Sequence, residues 1–283
     1  MNPKNFIKKS FEGVLIGLAN VIPGVSGGSI ALILGIYERL IMSINSIPIS
    51  FPKYLIYKDF EGLKERVKKI DYPFLVPLVL GIALSTIGFA RIMGHLLETY
   101  TVVTFSLFFG LILASAGTLY IRLEKISWQV LLTVFIGVFF GFITADLPFL
   151  NFNHSLFIIF ISGALAIVSM ILPGISGSFI LVYLQQYEYM LNALNTLDIP
   201  VIIIFIIGGC FGLFSFAKGV EYLFRKYKGE TLGFLFGLML GSLRIPFEEI
   251  FYNSPGLWEA IIPAIIGFFL VVILEYRYHT VKE

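Results

Sequence analysis

Charge is the scarcest property of this chain. Only 13% of its 283 residues are Asp, Glu, Lys or Arg, against roughly 25% in an ordinary soluble domain. The chain is 58% hydrophobic, in long runs that leave no room for a soluble domain, so it reads as an integral membrane protein. The net charge is +2, and the basic residues fall in short clusters between apolar runs, which excludes a nucleic-acid partner. Cysteine is nearly absent: the lone Cys210 rules out an intrachain disulfide and leaves the redox compartment unread. No Cys, His and carboxylate constellation has metal-ligand spacing, so neither a metal nor another cofactor is expected. A cleaved leader is not expected either. Lys4, Lys8 and Lys9 resemble its basic start, but Glu12 breaks the apolar stretch and no small-x-small site follows.

What is present begins with apolar runs. Spans of about 20 residues, the length for a ~30 Å hydrocarbon core, are expected near 73–93, 101–120, 128–146, 200–217, 230–247 and 257–276. Two further regions, 11–47 and 156–192, are interrupted at their middle. The first holds "NVIPGVSGGSIALILGIYE" and the second "MILPGISGSFILVYLQQYE". Pro-Gly-x-Ser-Gly thus recurs 150 positions on, and Tyr37-Glu38 and Tyr187-Glu188 follow at the same distance from Pro23 and Pro173.

Charge placement orients these segments. Lys and Arg occur at the N-terminus, in connectors 53–69, 121–127 and 218–229, and at the end as Arg277 and Lys282, whereas 94–100, 146–155, 193–199 and 248–256 have none. The positive-inside rule makes the first set cytoplasmic, with both termini, and the second external. Region 11–47 then enters and returns on one side, and region 156–192 does so on the other. Each reads as a re-entrant hairpin turning at its Pro-Gly-x-Ser-Gly.

"SLFFGLILAS" (106–115) matches "GFLFGLMLGS" (233–242), "FAR" (89–91) matches "FAK" (216–218), and Trp128 matches Trp258. The expected fold is therefore an all-α, multi-pass membrane protein with an inverted-topology repeat. Residues 1–150 and 151–283 each supply one re-entrant hairpin plus three transmembrane helices. That is a transporter architecture. Connector 53–71 places Phe60, Leu63, Val67 and Ile70 at helical spacing among charges, which suits an amphipathic helix on the cytoplasmic surface.

Non-helical backbone at membrane depth is tolerated only where it is buried in protein or lines a polar cavity. The second arm of each hairpin starts just after Pro-Gly, so its first N–H groups lack intrahelical partners and form an anion site. Asn20, Pro23, Gly24, Ser26, Gly27, Gly28 and Ser29 make one candidate tip; Pro173, Gly174, Ser176, Gly177 and Ser178 make the other. The bland alternative is that Gly and Ser only pack a tight turn. Two copies in opposite orientation favour a phosphate or carboxylate pocket.

Arg91 and Arg244 fall near the external ends of their spans, against the charge bias, and are candidate headgroup contacts; snorkelling to the interface is the other reading. Glu38 and Glu188 lie twelve residues past the hairpin serines, ~18 Å along a continuous helix. They are expected near opposite surfaces, as gating or ion-coupling carboxylates or as interface anchors. A coupling ion is left open between proton and sodium. His95 and His154 are expected to be solvated in external connectors.

The paired "NVIPGVSGGS" and "ILPGISGSF", with the Tyr-Glu that follows the first, resemble the polyprenyl-phosphate transporter family over nearly the whole chain. The resemblance implies a flippase in the plasma membrane, not an enzyme. It would return undecaprenyl phosphate from the outer to the cytoplasmic leaflet for envelope-polymer synthesis. Two alternatives are a small organic-anion exporter and an integral-membrane polyprenyl-pyrophosphate phosphatase. The phosphatase needs a carboxylate cluster and an Arg or His beside its serine, and neither motif carries one.

Overall fold

Apolar side chains at helical spacing, with Gly and Pro as punctuation, give helices throughout. The structure is a computed structural model that describes residues 3–21, 26–47, 57, 60–123, 125–143, 152–253 and 256–279. Every regular element among the described residues is a helix, as hydrocarbon demands of a chain that must satisfy its own backbone. In order they are α1 (Pro3–Val21), α2 (Gly27–Ile33), α3 (Tyr37–Asn45), α4 (Phe60–Val67) and α5 (Tyr72–Thr99). Then come α6 (Thr101–Ile121), α7 (Trp128–Ile143), α8 (Leu156–Ile171), α9 (Gly177–Tyr183) and α10 (Tyr187–Thr196). The last four are α11 (Ile199–Lys226), α12 (Lys228–Ser242), α13 (Arg244–Tyr252) and α14 (Leu257–His279).

Among the described residues, α6 and α11 are long and apolar enough to cross a membrane. Tyr72–Thr86 within α5, all of α7 and α8, and Leu257–Ile273 within α14 are shorter apolar stretches. The end of the expected span 128–146 lies outside the described residues. The expected span 230–247 is corrected by the structure: α12 ends at Ser242 and α13 starts at Arg244. Pro246 explains the break, because it has no N–H for the Ser242 carbonyl and its ring crowds that turn. Connector 248–256 is accordingly helical as far as Tyr252. The amphipathic connector contains α4, with Phe60 exposed and Val67 half-buried.

Helices pair through glycines that let backbones touch. A Cβ on Gly13 would lie 2.1 Å from the Leu78 carbonyl oxygen, and one on Gly81 2.1 Å from that of Ser10, so α1 lies along α5. In the second half Gly163 meets Phe205 and Gly208 meets Phe160 in the same way, joining α8 to α11. The remaining long helices cross between halves. Gly110 and Gly267 join α6 to α14 through Ala264 and Leu107, while Gly237 and Gly137 join α12 to α7 through Val134 and Phe234. The α1–α5 contact thus has a counterpart in α8–α11, and the α6–α14 contact one in α12–α7.

Tyr37, Phe74, Leu78, Ile112, Leu119, Leu238 and Met239 fill the core between these pairs. The outer faces carry Leu84, Phe135, Phe211, Trp258 and Phe269, all exposed. Small residues at the helix contacts and large apolar ones on the outer faces suit a bundle bathed in lipid.

Candidate functional site

The two Pro-Gly-x-Ser-Gly turns meet inside the bundle. Pro23 and Gly24 lie outside the described residues, but the first tip is clear from Ser26 onward. Ser26 is extended (φ −116°, ψ 141°), as an N-cap should be, and its Oγ accepts from the Gly28 amide at 3.0 Å. The same hydroxyl lies 2.6 Å from the Leu172 carbonyl and 3.0 Å from that of Met170, both in the second hairpin. Gly28 has no Cβ because one would lie 1.9 Å from the Ile171 carbonyl oxygen. Across the same contact the Gly174 amide donates to Ser29 Oγ at 3.2 Å. Asn20 supports the tip from α1, its Oδ1 accepting from the Gly27 amide at 2.8 Å. The structure therefore brings Asn20, Ser26, Gly27, Gly28, Ser29 and Gly174 together.

These bonds correct one expectation. The sequence leaves the Gly27 and Gly28 amides free for an anion; in the structure Asn20 and Ser26 occupy them, and Ser26 and Ser29 are buried. The second tip is different. Gly174 takes the left-handed φ of +82° that turns the chain, with Ser242 filling the space beside it. Ser176 is the N-cap of α9 but makes no cap bond, and its Oγ pairs with Ser178 Oγ at 2.9 Å. Pro173 and Gly177 are buried, whereas Ser178 is exposed. It lines a cavity of about 440 Å³ with Leu97, Thr101, Phe105, Tyr187 and Glu249. A neighbouring cavity of about 770 Å³ shares Val182 and Tyr187 and adds His154, Gln185 and Glu188.

The arms leaving the tips are shorter than expected. α2 stops at Ile33, and α3 departs at 116° to it after Gly35, whose φ is +65°. Gln185 takes φ +54° at the matching place between α9 and α10. A continuous ~18 Å arm to Glu38 or Glu188 is thus incorrect, because each arm breaks after two turns. Glu38 heads α3 and reaches Lys228 Nζ at 3.6 Å; Glu188 faces the larger cavity. The two carboxylates line separate cavities.

Arg244 has partners: its Nε donates to Glu248 Oε1 at 2.6 Å, and its guanidinium lies 4.2 Å from the Phe142 ring centre. It follows Ser242, the residue against Gly174, by two positions. Arg91 is in α5, and its side chain lies outside the described residues. His154 is not simply solvated. It stacks on Tyr189 at 4.1 Å and bonds the buried Gln186 at 3.0 Å. His95 belongs to α5, where it meets Thr99 at 3.3 Å, and not to a connector.

Sequence reading missed the contacts around the first arm. Arg122 Nη1 donates to the Leu32 carbonyl at 3.0 Å and reaches Glu275 at 3.7 Å. Asn45 bonds Glu221 at 2.6 Å and the Ala217 carbonyl at 2.9 Å, tying α3 to α11. In the sequence Arg122 is legible only as a topological charge, and Asn45 carries no signal beyond being a polar residue in an apolar region.

Residues 16–254 match the family model described as "VCA0040-like: Undecaprenyl phosphate translocase-like". A protein of Vibrio cholerae named "Polyprenyl-phosphate transporter" is 39% identical over 84% of this chain and 77% of its own length. One of the same name from Staphylococcus aureus is 28% identical over 93% of this chain and 94% of its own. No solved structure matches.

Proposed function

The chain belongs to the undecaprenyl phosphate translocase-like family, and from that premise we propose that it carries polyprenyl phosphate from the outer to the cytoplasmic leaflet of the plasma membrane. The observation that carries the reading is the meeting of two like turns at the centre of the bundle, one of them open to a cavity through Ser178. A phosphate headgroup is held by Ser176, Ser178 and the backbone of Pro173, Gly174 and Gly177. When the tips part, Asn20, Pro23, Gly24, Ser26, Gly27, Gly28 and Ser29 take it over. The prenyl tail stays in lipid beside the apolar outer faces.

Residues 1–150 and 151–283 act as inverted halves, each with one re-entrant hairpin and three crossings, and both termini are cytoplasmic. The paired glycine contacts of α1–α5 with α8–α11, and of α6–α14 with α12–α7, support this division. Alternating access then exchanges the sealed and open tips. Arg91 and Arg244 collect the headgroup at the external entrance, where the guanidinium fork suits phosphate oxygens. Glu38 and Glu188 serve as gates on opposite sides, and the driving ion is a proton or sodium.

The serines are donors and not nucleophiles. The contacts of Ser26 are two carbonyls and an amide, and that of Ser176 is another hydroxyl; neither set includes a general base. The test is binding by the purified full-length protein of polyprenyl phosphate, polyprenyl pyrophosphate and inorganic phosphate. Tightest binding to the lipid monophosphate, without phosphate release from the pyrophosphate, is expected. Phosphate release abolished by Ser26→Ala would establish the phosphatase instead.

A further inference from the structure

We propose that the cavity between Arg122, Lys125 and Lys228 is a second phosphate site, which receives the lipid headgroup on its way to the cytoplasmic leaflet. This rests on the transport reading above. The cavity, of about 290 Å³, forms where α6 ends and where α7 and α12 begin. At about 30 Å³ per water it has room for a phosphate with several waters. Three cations from both halves of the chain converge on it, with Ser127 and Gly229 beside them and Glu230 as the one opposing carboxylate among the described residues of its lining.

The ion pairs of two of these cations are long. Lys228 is 3.6 Å from Glu38, and Arg122 Nη2 is 3.7 Å from Glu275. Elsewhere on the same molecule Arg39–Asp71 and Arg225–Glu221 close to 2.8 and 2.7 Å, the usual range for charge-assisted bonds. Arg122 and Lys228 thus feel their carboxylates through Coulomb attraction without a short bond. A phosphate monoester dianion entering the cavity offers both cations shorter contacts and twice the charge.

Binding there also acts on the first tip. Arg122 holds the Leu32 carbonyl in the last turn of α2, and Lys228 holds Glu38 at the head of α3. Drawing both cations onto a phosphate frees both sides of the bend at Gly35, the end of α2 and the start of α3, together. The site therefore attracts the headgroup and unlatches the path to itself. A solvated cytoplasmic charge cluster, which the positive-inside rule alone would give, has no such link.

The experiment measures phosphate binding to the full-length protein in nanodiscs, using inorganic phosphate and a short-chain polyprenyl phosphate as probes. Lys125→Gln with Lys228→Gln should weaken both probes by about tenfold, the loss of one or two bonds to a charged group. Glu38→Gln should strengthen binding, because it removes the competitor of Lys228. If Lys228 is only half of a latch, Glu38→Gln and Lys228→Gln will shift binding in the same direction, and the proposal fails. It fails also if the lysine pair binds like wild type while Ser176→Ala weakens the lipid probe; the transport reading then stands alone. Inorganic phosphate that the lipid probe does not displace identifies a free-phosphate site and overturns the lipid assignment. Wild-type protein that binds no polyprenyl phosphate at all refutes the transport reading itself.

Discussion

The first tip reads Gly-Val-Ser-Gly-Gly and the second Gly-Ile-Ser-Gly-Ser, and that last residue separates a sealed turn from an open one. Gly28 lets the Ile171 carbonyl approach to where a Cβ would be, so the second hairpin closes over Ser26 and the hydroxyl bonds Leu172 at 2.6 Å. Ser178, at the matching place, keeps its side chain, pairs with Ser176 and faces a cavity. Two copies of one motif need not occupy the same state at the same time. On the proposed alternating access, opening one surface goes with closing the other.

Exchanging these two residues should have the largest effect on the two tips. Gly28→Ser places an atom against backbone that cannot rotate away, and a loss of about 3 kcal/mol or more is expected, seen as a lower thermal midpoint or aggregation on size exclusion. Ser178→Gly, in an open position, should leave the midpoint within a degree or two of wild type by the usual size of surface substitutions. Equal tolerance of the two changes would remove the distinction between the tips.

The next effect separates stability from binding. Ser26→Ala removes an N-cap bond and an inter-hairpin bond and should cost about 2–3 kcal/mol of stability. Ser176→Ala removes no cap bond, since none is made, and should weaken polyprenyl-phosphate binding by about 1.5 kcal/mol with little change in melting. Thermal melting and ligand titration on both variants check the pair; a matching profile for the two serines would merge their roles.

How far the sequence foretold this arrangement differs along the chain. The duplicated motif pointed to both turns because Pro, Gly and Ser in an apolar run have few other uses. The breaks after α2 and α9 were hidden. Gly35 gave a faint sign, but nothing in the type of Gln185 announces its left-handed backbone. The end of α12 is legible in Pro246, although the apolar run continuing through Leu243 and Ile245 masks it. Partners such as Arg122 with Leu32, or Asn45 with Glu221, join residues far apart in the chain. Charge counting sees the sign of Arg122 and of Glu221, but not what they touch.

The smallest expected effect is at Arg244, at the proposed entrance beside the second tip. Arg244→Lys keeps an ion pair with Glu248 but loses the guanidinium contact with Phe142, about 0.5–1 kcal/mol for such a pair. Folding should survive, and outer-leaflet capture should slow severalfold in a lipid-uptake assay. Uptake at the wild-type rate would remove Arg244 from the headgroup path.

On the proposed route the two tips pass a lipid phosphate from one leaflet to the other. It is tested most directly by transbilayer movement of a labelled short-chain polyprenyl phosphate in proteoliposomes, read by a reagent confined to the outside. Wild-type protein should accelerate loss of the outer-leaflet pool, unlabelled polyprenyl phosphate should compete, and Ser176→Ala should slow it without releasing inorganic phosphate. Movement no faster than in empty liposomes, or loss of the label accompanied by free phosphate, would contradict the account.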